Sequence, residues 1–221
     1  MSKKHVTFYY VRHGKTHYNC KRIIQGGLVD SDLTDEHLYL VNDTAHTLQN
    51  VPFARCYASP LGRAVHTAQI IMDAQTHTPD KATPTMTLDD RLKEISFGRI
   101  DGKPFEQHKW EFTWAFLRQD FRSLGGETHH ELRTRMRQVF VDMYKQAQDG
   151  DKILVVAHGG LVRYLVLEFL DAPFFKKMYL SRCVRVSNAS IGIIDANDDH
   201  FSLSVLPLSS KEFAAQHPKL L

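Results

Sequence analysis

Two uninterrupted apolar runs constrain the fold of this chain more than any other feature. Residues 6–11 and residues 152–157 are almost entirely β-branched, aromatic or aliphatic, and neither run alternates between apolar and polar positions. A strand with this pattern is covered on both faces, as in a parallel sheet with helices on either side. Helical segments alternate with the predicted strands along the chain. The sequence therefore predicts an α/β fold, a three-layer sandwich around a mainly parallel sheet.

Three predicted strands each end in side chains that suit an anionic ligand. An Arg-His-Gly run at residues 12–14 follows the first strand, Ser59 to Arg63 follow a short strand at residues 55–58, and His158 follows the third. Carboxyl ends of parallel strands share one edge of a sheet, where ligands bind. Guanidinium, imidazole and helix-start N–H groups bind phosphate, so the motifs together predict a phosphate site. Taken singly, each also fits a side chain that only ends a strand or begins a helix.

The composition favours one domain and argues against several functions. The chain has 221 residues, 43% of them hydrophobic, which is enough for one core over residues 1–221. Its formal net charge is +3, but the Lys and Arg residues are scattered, so we expect no nucleic-acid partner. The 13 His and three Cys residues match no common zinc motif in their spacing, and we expect no metal site.

No segment predicts a membrane or secretory protein. The apolar run near the N-terminus is too short for a signal peptide, and no run approaches the roughly 20 apolar residues of a membrane span. Three widely separated Cys residues are typical of reduced thiols. We therefore expect a cytoplasmic protein without a membrane partner.

The strand-end motifs resemble those of the histidine phosphatase superfamily, in its phosphoglycerate mutase-like branch. The matching segments are the Arg-His-Gly run with Asn19, the Ser-Pro-Leu to Thr-Ala run at residues 59–68, the Leu-to-Phe-Gly run at residues 92–98, and the Ala-His-Gly run at residues 157–159. Two positions depart from the pattern. His37 stands where the family usually has glycine, and Asp101 stands where many relatives have glutamate.

The resemblance implies a covalent mechanism and assigns residues to it. His13 would attack phosphorus, Glu94 would donate a proton to the leaving oxygen, and His158 would complete the catalytic set. Four residues would bind the phosphoryl group: Arg12, Asn19, Arg63 and Gly159. No metal ion and no cofactor would be required. The residue chemistry agrees, because neighbouring cations would disfavour protonation of His13 and partial burial would raise the pKa of Glu94.

The segment after Glu94 separates two activities. Phosphoglycerate mutases of this family typically continue with Arg-His-Tyr-Gly, whereas this chain has Ile-Ser-Phe-Gly at residues 95–98. The sequence therefore predicts a phosphatase whose partners are small phosphorylated metabolites. A phosphoglycerate mutase is the alternative, and a non-catalytic phosphate-binding regulator on the same fold is a third possibility.

A helical lid is predicted to be inserted over the site at about residues 100–127. Trp110, Trp114 and Phe116 give this segment an apolar surface, which would hold an anionic substrate poorly. Arg118 and Arg122 are the lid residues that could still bind a second anionic group.

Three local predictions concern helix starts and the C-terminus. Ser59 is predicted to cap the helix that contains Arg63. Thr128 and Glu131 form a predicted capping box for a long helix with one buried face. Residues from Ser209 onward are expected to be loosely attached.

Overall fold

The computed structural model describes residues 4–76, 84–198 and 200–221, and the other positions of the predicted 1–221 domain lie outside the described residues. The strands are β1 (His5–Arg12), β2 (Phe53–Ala58), β3 (Met86–Leu88), β4 (Lys152–Ala157), β5 (Ile191–Asn197) and β6 (His200–Leu208). They form one sheet in the order β3-β2-β4-β1-β5-β6. The first four strands in that order are parallel, and β5 and β6 are antiparallel to their neighbours.

Helices cover both faces of the sheet. The α-helices of the described residues are α1 (His17–Cys20), α2 (Leu38–Leu48), α3 (Gly62–Asp73), α4 (Phe105–Arg118), α5 (His129–Gln146), α6 (Gly159–Phe169), α7 (Phe174–Cys183) and α8 (Ser210–Gln216). Short 3₁₀ turns lie at Asp35–His37, Asp90–Leu92, Gly98–Ile100, Arg122–Leu124 and Pro218–Leu220. No helix within the described part of the chain is long and apolar enough to cross a membrane.

Strand β1 shows why the apolar run has no polar alternation. Phe8 and Tyr10 are buried in one core with residues of α5 and α6, and the Phe8 ring meets Phe140 edge-on at 5.3 Å. Tyr9 and Val11 are buried in a second core with residues of α2, α3 and α8. Successive side chains of a strand point to opposite faces, so a central strand between two cores must be apolar throughout. The predicted α/β sandwich around a mainly parallel sheet is confirmed.

The predicted capping box at the start of α5 is also confirmed. Thr128 Oγ1 accepts a hydrogen bond from Glu131 N at 3.1 Å, and Glu131 Oε2 accepts one from Thr128 N at 2.8 Å. The buried residues of α5 then recur at helical spacing: Leu132, Met136, Val139, Phe140 and Met143. This helix covers part of one face of the sheet.

The expectation of a loosely attached C-terminus is wrong. Ser209 caps α8 by accepting a hydrogen bond from Glu212 N, and Phe213 is fully buried in the second core. Beyond α8, the Tyr9 hydroxyl donates a hydrogen bond to Leu220 O. The C-terminal segment therefore covers part of the sheet, because α8 supplies the aromatic side chain that fills the core there.

Candidate active site

The carboxyl ends of β1, β2 and β4 lie side by side at one edge of the sheet. Because β4 pairs in parallel with both β1 and β2, the residues that follow these strands converge. The rings of His13 and His158 are 5.2 Å apart, centroid to centroid. Arg63 interacts electrostatically with both histidines. Glu94 interacts electrostatically with Arg12 and Arg63. We refer to Arg12, His13, Arg63, Glu94 and His158 as the polar cluster.

His13 is held as a neutral imidazole with one nitrogen available. The ring is 4% exposed, and its Nδ1 lies 2.7 Å from Gly14 O. A carbonyl oxygen can only accept, so Nδ1 carries the proton and Nε2 retains its lone pair. Burial lowers the pKa of His13 well below the ordinary value, and the charges of Arg12 and Arg63 lower it further. The residue is therefore an uncharged nucleophile or base at neutral pH.

The two arginines of the cluster are anchored by backbone oxygens and, for Arg63, also by the Asp30 carboxylate. Arg63 Nη1 donates to Asp30 Oδ1 at 2.8 Å and to Val29 O at 2.9 Å, and its side chain is fully buried. Arg12 Nη1 donates to Val186 O. In each guanidinium the Nε–H is buried and has no partner among the described residues. Buried N–H donors are almost always paired, so these two suit the oxygens of an anionic ligand.

His158 is oriented by Ser59, which was predicted to cap the helix that contains Arg63. Its Nε2 lies 2.7 Å from Ser59 Oγ, and both side chains are fully buried. The predicted capping role of Ser59 is wrong, because α3 begins at Gly62 with Leu61 at its N-cap and has no side-chain cap. The hydroxyl fixes the imidazole and accepts only a long hydrogen bond, 3.4 Å, from Leu61 N. The Nδ1 of His158 is buried without a partner among the described residues, like the two Nε–H groups.

Glu94 is buried in an environment that raises its pKa. The residue is 8% exposed, and its carboxyl oxygens accept hydrogen bonds from Ile95 N at 2.9 Å and Gly160 N at 2.8 Å. Burial raises the pKa of Glu94, and the effect outweighs the opposing influence of the two N–H groups and the arginines. A buried carboxyl group with a raised pKa can serve as a general acid.

Two glycines at the start of α6 let the helix approach the cluster. A Cβ at Gly159 would lie 3.0 Å from Arg12 Nε, and a Cβ at Gly160 would lie 2.5 Å from Glu94 Oε1. A larger residue at either position would displace a side chain of the polar cluster. Gly159, predicted as a phosphate-binding residue, thus lines the site through its backbone beside Arg12.

This arrangement can be compared with known proteins. The family model described as histidine phosphatase superfamily (branch 1) matches residues 8–208. The chain belongs to the histidine phosphatase superfamily. It is 33% identical over 192 residues to a probable phosphoglycerate mutase, GpmB, of Enterobacter sp. (strain 638), an alignment that covers 85% of this chain and 83% of that protein.

Two solved structures show the same fold. A phosphoglycerate mutase from Bacillus anthracis str. Sterne superposes with a TM-score of 0.78 at 23% identity, covering 97% of both chains. A mutant phosphoserine phosphatase from Entamoeba histolytica, in complex with phosphoserine, superposes with a TM-score of 0.72 at 25% identity, covering 93% of this chain and 98% of that one. The proteins that this superfamily member resembles thus include some named as phosphoglycerate mutases and one named as a phosphatase.

Asn19 lies at the site together with Asn188, which the sequence did not predict as a site residue. Asn188 Nδ2 lies 3.1 Å from Asn19 Oδ1, 3.2 Å from His13 O and 3.1 Å from Gly14 O. Both asparagines line the cavity next to the cluster. Asn188 fixes the turn that carries His13. No local motif marked it, because its partners are distant in sequence.

Arg12, His13 and Glu94 line a cavity of about 510 Å³ that also has an aromatic wall, whereas Arg63 and His158 are fully buried and do not line it. Four phenylalanines form this wall: Phe97, Phe105, Phe112 and Phe116. The prediction that Trp110 and Trp114 make the apolar surface is wrong, since they are 83% and 61% exposed. They lie on the outer face of α4, whereas Phe116, also predicted, lines the cavity.

The cationic residues near this wall also differ from the prediction. Arg118 stacks on Trp114 at 4.9 Å, and Arg122 pairs with Asp120, so neither lines the cavity. Arg22 and Arg163, which the sequence analysis missed, line it instead. Within the described residues, no group of three or more His, Cys, Asp or Glu side chains is arranged to hold a metal ion.

Proposed function

We propose that this protein is a phosphomonoesterase that hydrolyses small phosphorylated metabolites through a phosphohistidine on His13. One observation carries the proposal. His13 is buried and neutral, and Gly14 O fixes the proton on Nδ1, which leaves the Nε2 lone pair for attack. The adjoining guanidinium Nε–H groups of Arg12 and Arg63 have no partners in the described residues and suit phosphoryl oxygens.

The first step forms the covalent intermediate. His13 Nε2 attacks phosphorus and makes the P–N bond while the ester P–O bond breaks. The electron pair of that bond leaves with the alcohol oxygen, which takes the proton from the Glu94 carboxyl group. The raised pKa of Glu94 supports this role, because the donor must hold its proton until the bond breaks.

The second step releases phosphate. The Glu94 carboxylate accepts a proton from water as the water oxygen attacks phosphorus, and the P–N electron pair returns to His13 Nε2. Five groups would bind the phosphoryl oxygens in both steps: Arg12, Asn19, Arg63, Gly159 and His158. Charge stabilisation by guanidinium groups is sufficient for phosphoryl transfer of this kind, so we propose a metal-independent reaction.

The cavity wall favours hydrolysis over mutase activity. A mutase must hold its phosphorylated intermediate while keeping water from the phosphohistidine. Here four phenylalanines contribute to the wall, Arg22 is already paired with Glu106 at 2.8 Å, and Lys15 and Arg163 are the other lining cations outside the polar cluster. Phosphoglycerate mutase is the second candidate, because the relative of 33% identity carries that name as a probable activity. The free Nε2 of neutral His13 and the raised pKa of Glu94, which phosphate binding alone does not require, argue against a purely regulatory role.

We further propose that the chain works as one catalytic domain in which about residues 100–127 form the lid. The support is that α4 supplies three of the four phenylalanines of the cavity wall. Substrate choice would then depend on this segment, and the chemistry on the sheet edge.

The test is to incubate the protein with 3-phosphoglycerate and with a panel of phosphomonoesters while measuring free phosphate and 2-phosphoglycerate. We expect phosphate release that EDTA does not abolish. His13→Ala should lower kcat by roughly 10⁴-fold or more and abolish the acid-labile phosphate on the protein. His17→Ala, which changes an exposed histidine four residues away, is the matched control.

Two results would contradict the proposal. Rapid interconversion of the phosphoglycerates with negligible phosphate release would establish the mutase. Acid-labile phosphate that persists in active His13→Ala protein would show that another residue is the nucleophile.

A further inference from the structure

Arg163 occupies the cavity close to the proposed proton donor. It lies in the first turns of α6, three residues after Gly160, whose N–H binds Glu94. Residues three apart lie on the same face of a helix, so Arg163 faces the cavity beside the Glu94 carboxyl group. Burial lowers the pKa of Arg163 to about 10, which leaves the guanidinium charged at neutral pH. No step proposed above uses this cation.

The guanidinium is positioned by an aromatic ring and not by an acid. Its Cζ lies 3.4 Å from the centroid of the Phe116 ring. Its one hydrogen bond to the described residues is long, 3.5 Å from Nη2 to Arg182 O. A guanidinium stacked on a ring keeps its edge N–H groups free for a planar anion.

The other cations of the cavity have partners or a different task. Arg22 pairs with Glu106, and Lys15 Nζ lies 3.0 Å from His37 Nε2. Arg12 belongs to the polar cluster. A half-buried cation without a counter-ion is costly, and an anionic ligand group would offset that cost. Among the described residues that line the cavity, Arg163 is thus the cation best placed to bind an anion away from the reacting phosphate.

We propose that Arg163 binds a second anionic group, a carboxylate or a second phosphate, on the alcohol part of the substrate. This inference rests on the proposed function and narrows its substrate class to phosphomonoesters with two anionic ends. The reacting phosphate lies in the polar cluster, the carbon chain lies against the phenylalanine wall, and the far anion reaches Arg163. One such cation selects a substrate without supplying the several anchors of a mutase.

The experiment compares matched substrate pairs. 3-Phosphoglycerate and glycerol 3-phosphate differ only in a carboxylate, and propane-1,3-diol bisphosphate and its monophosphate differ only in a second phosphate. The readout in each pair is kcat/KM for the substrate with the second anionic group divided by kcat/KM for the substrate without it. Arg163→Gln should lower at least one ratio by about 10- to 100-fold, the value of one charge-assisted hydrogen bond. Arg163→Lys, which keeps the charge but not the planar fork, should lower it less.

Arg118→Gln is the matched control, because it removes an equal charge from α4 outside the cavity. Its ratios should equal those of the wild type. A fall in the first ratio alone identifies a carboxylate, a fall in the second alone identifies a phosphate, and a fall in both identifies a general anion site. Equal ratios in wild type and Arg163→Gln would overturn the proposal, as would equal falls in Arg118→Gln.

Binding measurements separate this inference from the proposed function. Calorimetric Kd values for the same four ligands, measured on His13→Ala with and without Arg163→Gln, require no turnover. Arg163→Gln should raise Kd for the ligand with the second anionic group, relative to its partner in the pair, by about the factor by which the kcat/KM ratio falls, even if the protein proves to be a mutase. A Kd ratio that does not respond to Arg163→Gln would overturn the inference alone.

Discussion

The polar cluster and helix α4 face each other across one cavity but are stabilised by different forces. Side chains of the cluster are held by directional hydrogen bonds, such as Glu94 to two backbone N–H groups and His158 to Ser59. The inner face of α4 is held by ring contacts, with Phe112 at 5.1 Å from Phe97 and 5.7 Å from Phe116, centroid to centroid. Directional bonds fix atoms, whereas apolar packing fixes mainly volume.

This difference implies that the polar cluster governs the chemical step and that the inner face of α4 governs the choice of substrate. Hydrogen bonds to strand ends and a helix start allow each cluster residue one position, which phosphoryl transfer requires. Apolar walls tolerate substitution when total volume is kept. Mutations in the cluster should therefore affect kcat for every substrate, and mutations in the inner face of α4 should affect KM for some substrates more than others.

The largest effect in this comparison is expected from Glu94→Gln. Without a proton donor, kcat for an alkyl phosphate should fall by about 10²- to 10⁴-fold. The loss should be much smaller with p-nitrophenyl phosphate, whose leaving group departs without a proton. Steady-state rates with both substrates measure this, and Glu36→Gln, at a highly exposed glutamate, is the control. Equal losses on both substrates would show that Glu94 has only a structural role.

The lid offers a comparison within one helix. Phe112→Ala removes part of the cavity wall and should raise KM by roughly 10-fold, the usual cost of losing an apolar anchor. Trp110→Ala, two positions away on the exposed face, should change kcat/KM by less than about twofold. The test is to measure KM and kcat/KM of both variants with one alkyl phosphate, and to measure their melting temperatures as a check on folding. A larger effect at Trp110 would place a binding surface on the outside of α4.

The smallest effect concerns stability and pH. Burial lowers the pKa of His13 and His158, so the unfolded chain binds more protons once the pH falls below about 6.5. Their contribution to stability is present above that pH and is lost below it. Glu94 acts oppositely, because its raised pKa favours the folded state at low pH. Where both histidines titrate, their two protons correspond to a loss of roughly 3 kcal/mol per pH unit as the pH falls below about 6.5, and the slope becomes shallower where folded Glu94 takes up its proton.

Urea unfolding at several pH values, in buffer without phosphate, measures that slope. His13→Gln should reduce it by about one proton, whereas Trp110→Ala should leave it unchanged. An unaltered slope in His13→Gln would mean that the cluster does not hold this histidine neutral.

Local sequence determined the sheet and the ends of its strands. The apolar runs at residues 6–11 and 152–157 could be satisfied only between two cores, and parallel pairing then placed Arg12, His13 and His158 at one edge. The capping box of Thr128 and Glu131 was equally local, since both partners lie within one helical turn. Such predictions succeed because the interactions they depend on repeat at a fixed spacing along the chain.

Tertiary structure alone decided how the side chains around that edge are used. Ser59 meets His158 across 99 positions, and Asn188 meets His13 across 175, so no local pattern contains either pair. Helix α4 carries aromatic residues on both faces, and its periodicity could not tell which face would be buried. Only packing against Phe97 and Phe121 turned Phe112 inward and left Trp110 in solvent. Contacts between side chains that are distant in sequence depend on the whole fold, because only the fold brings such side chains within contact distance.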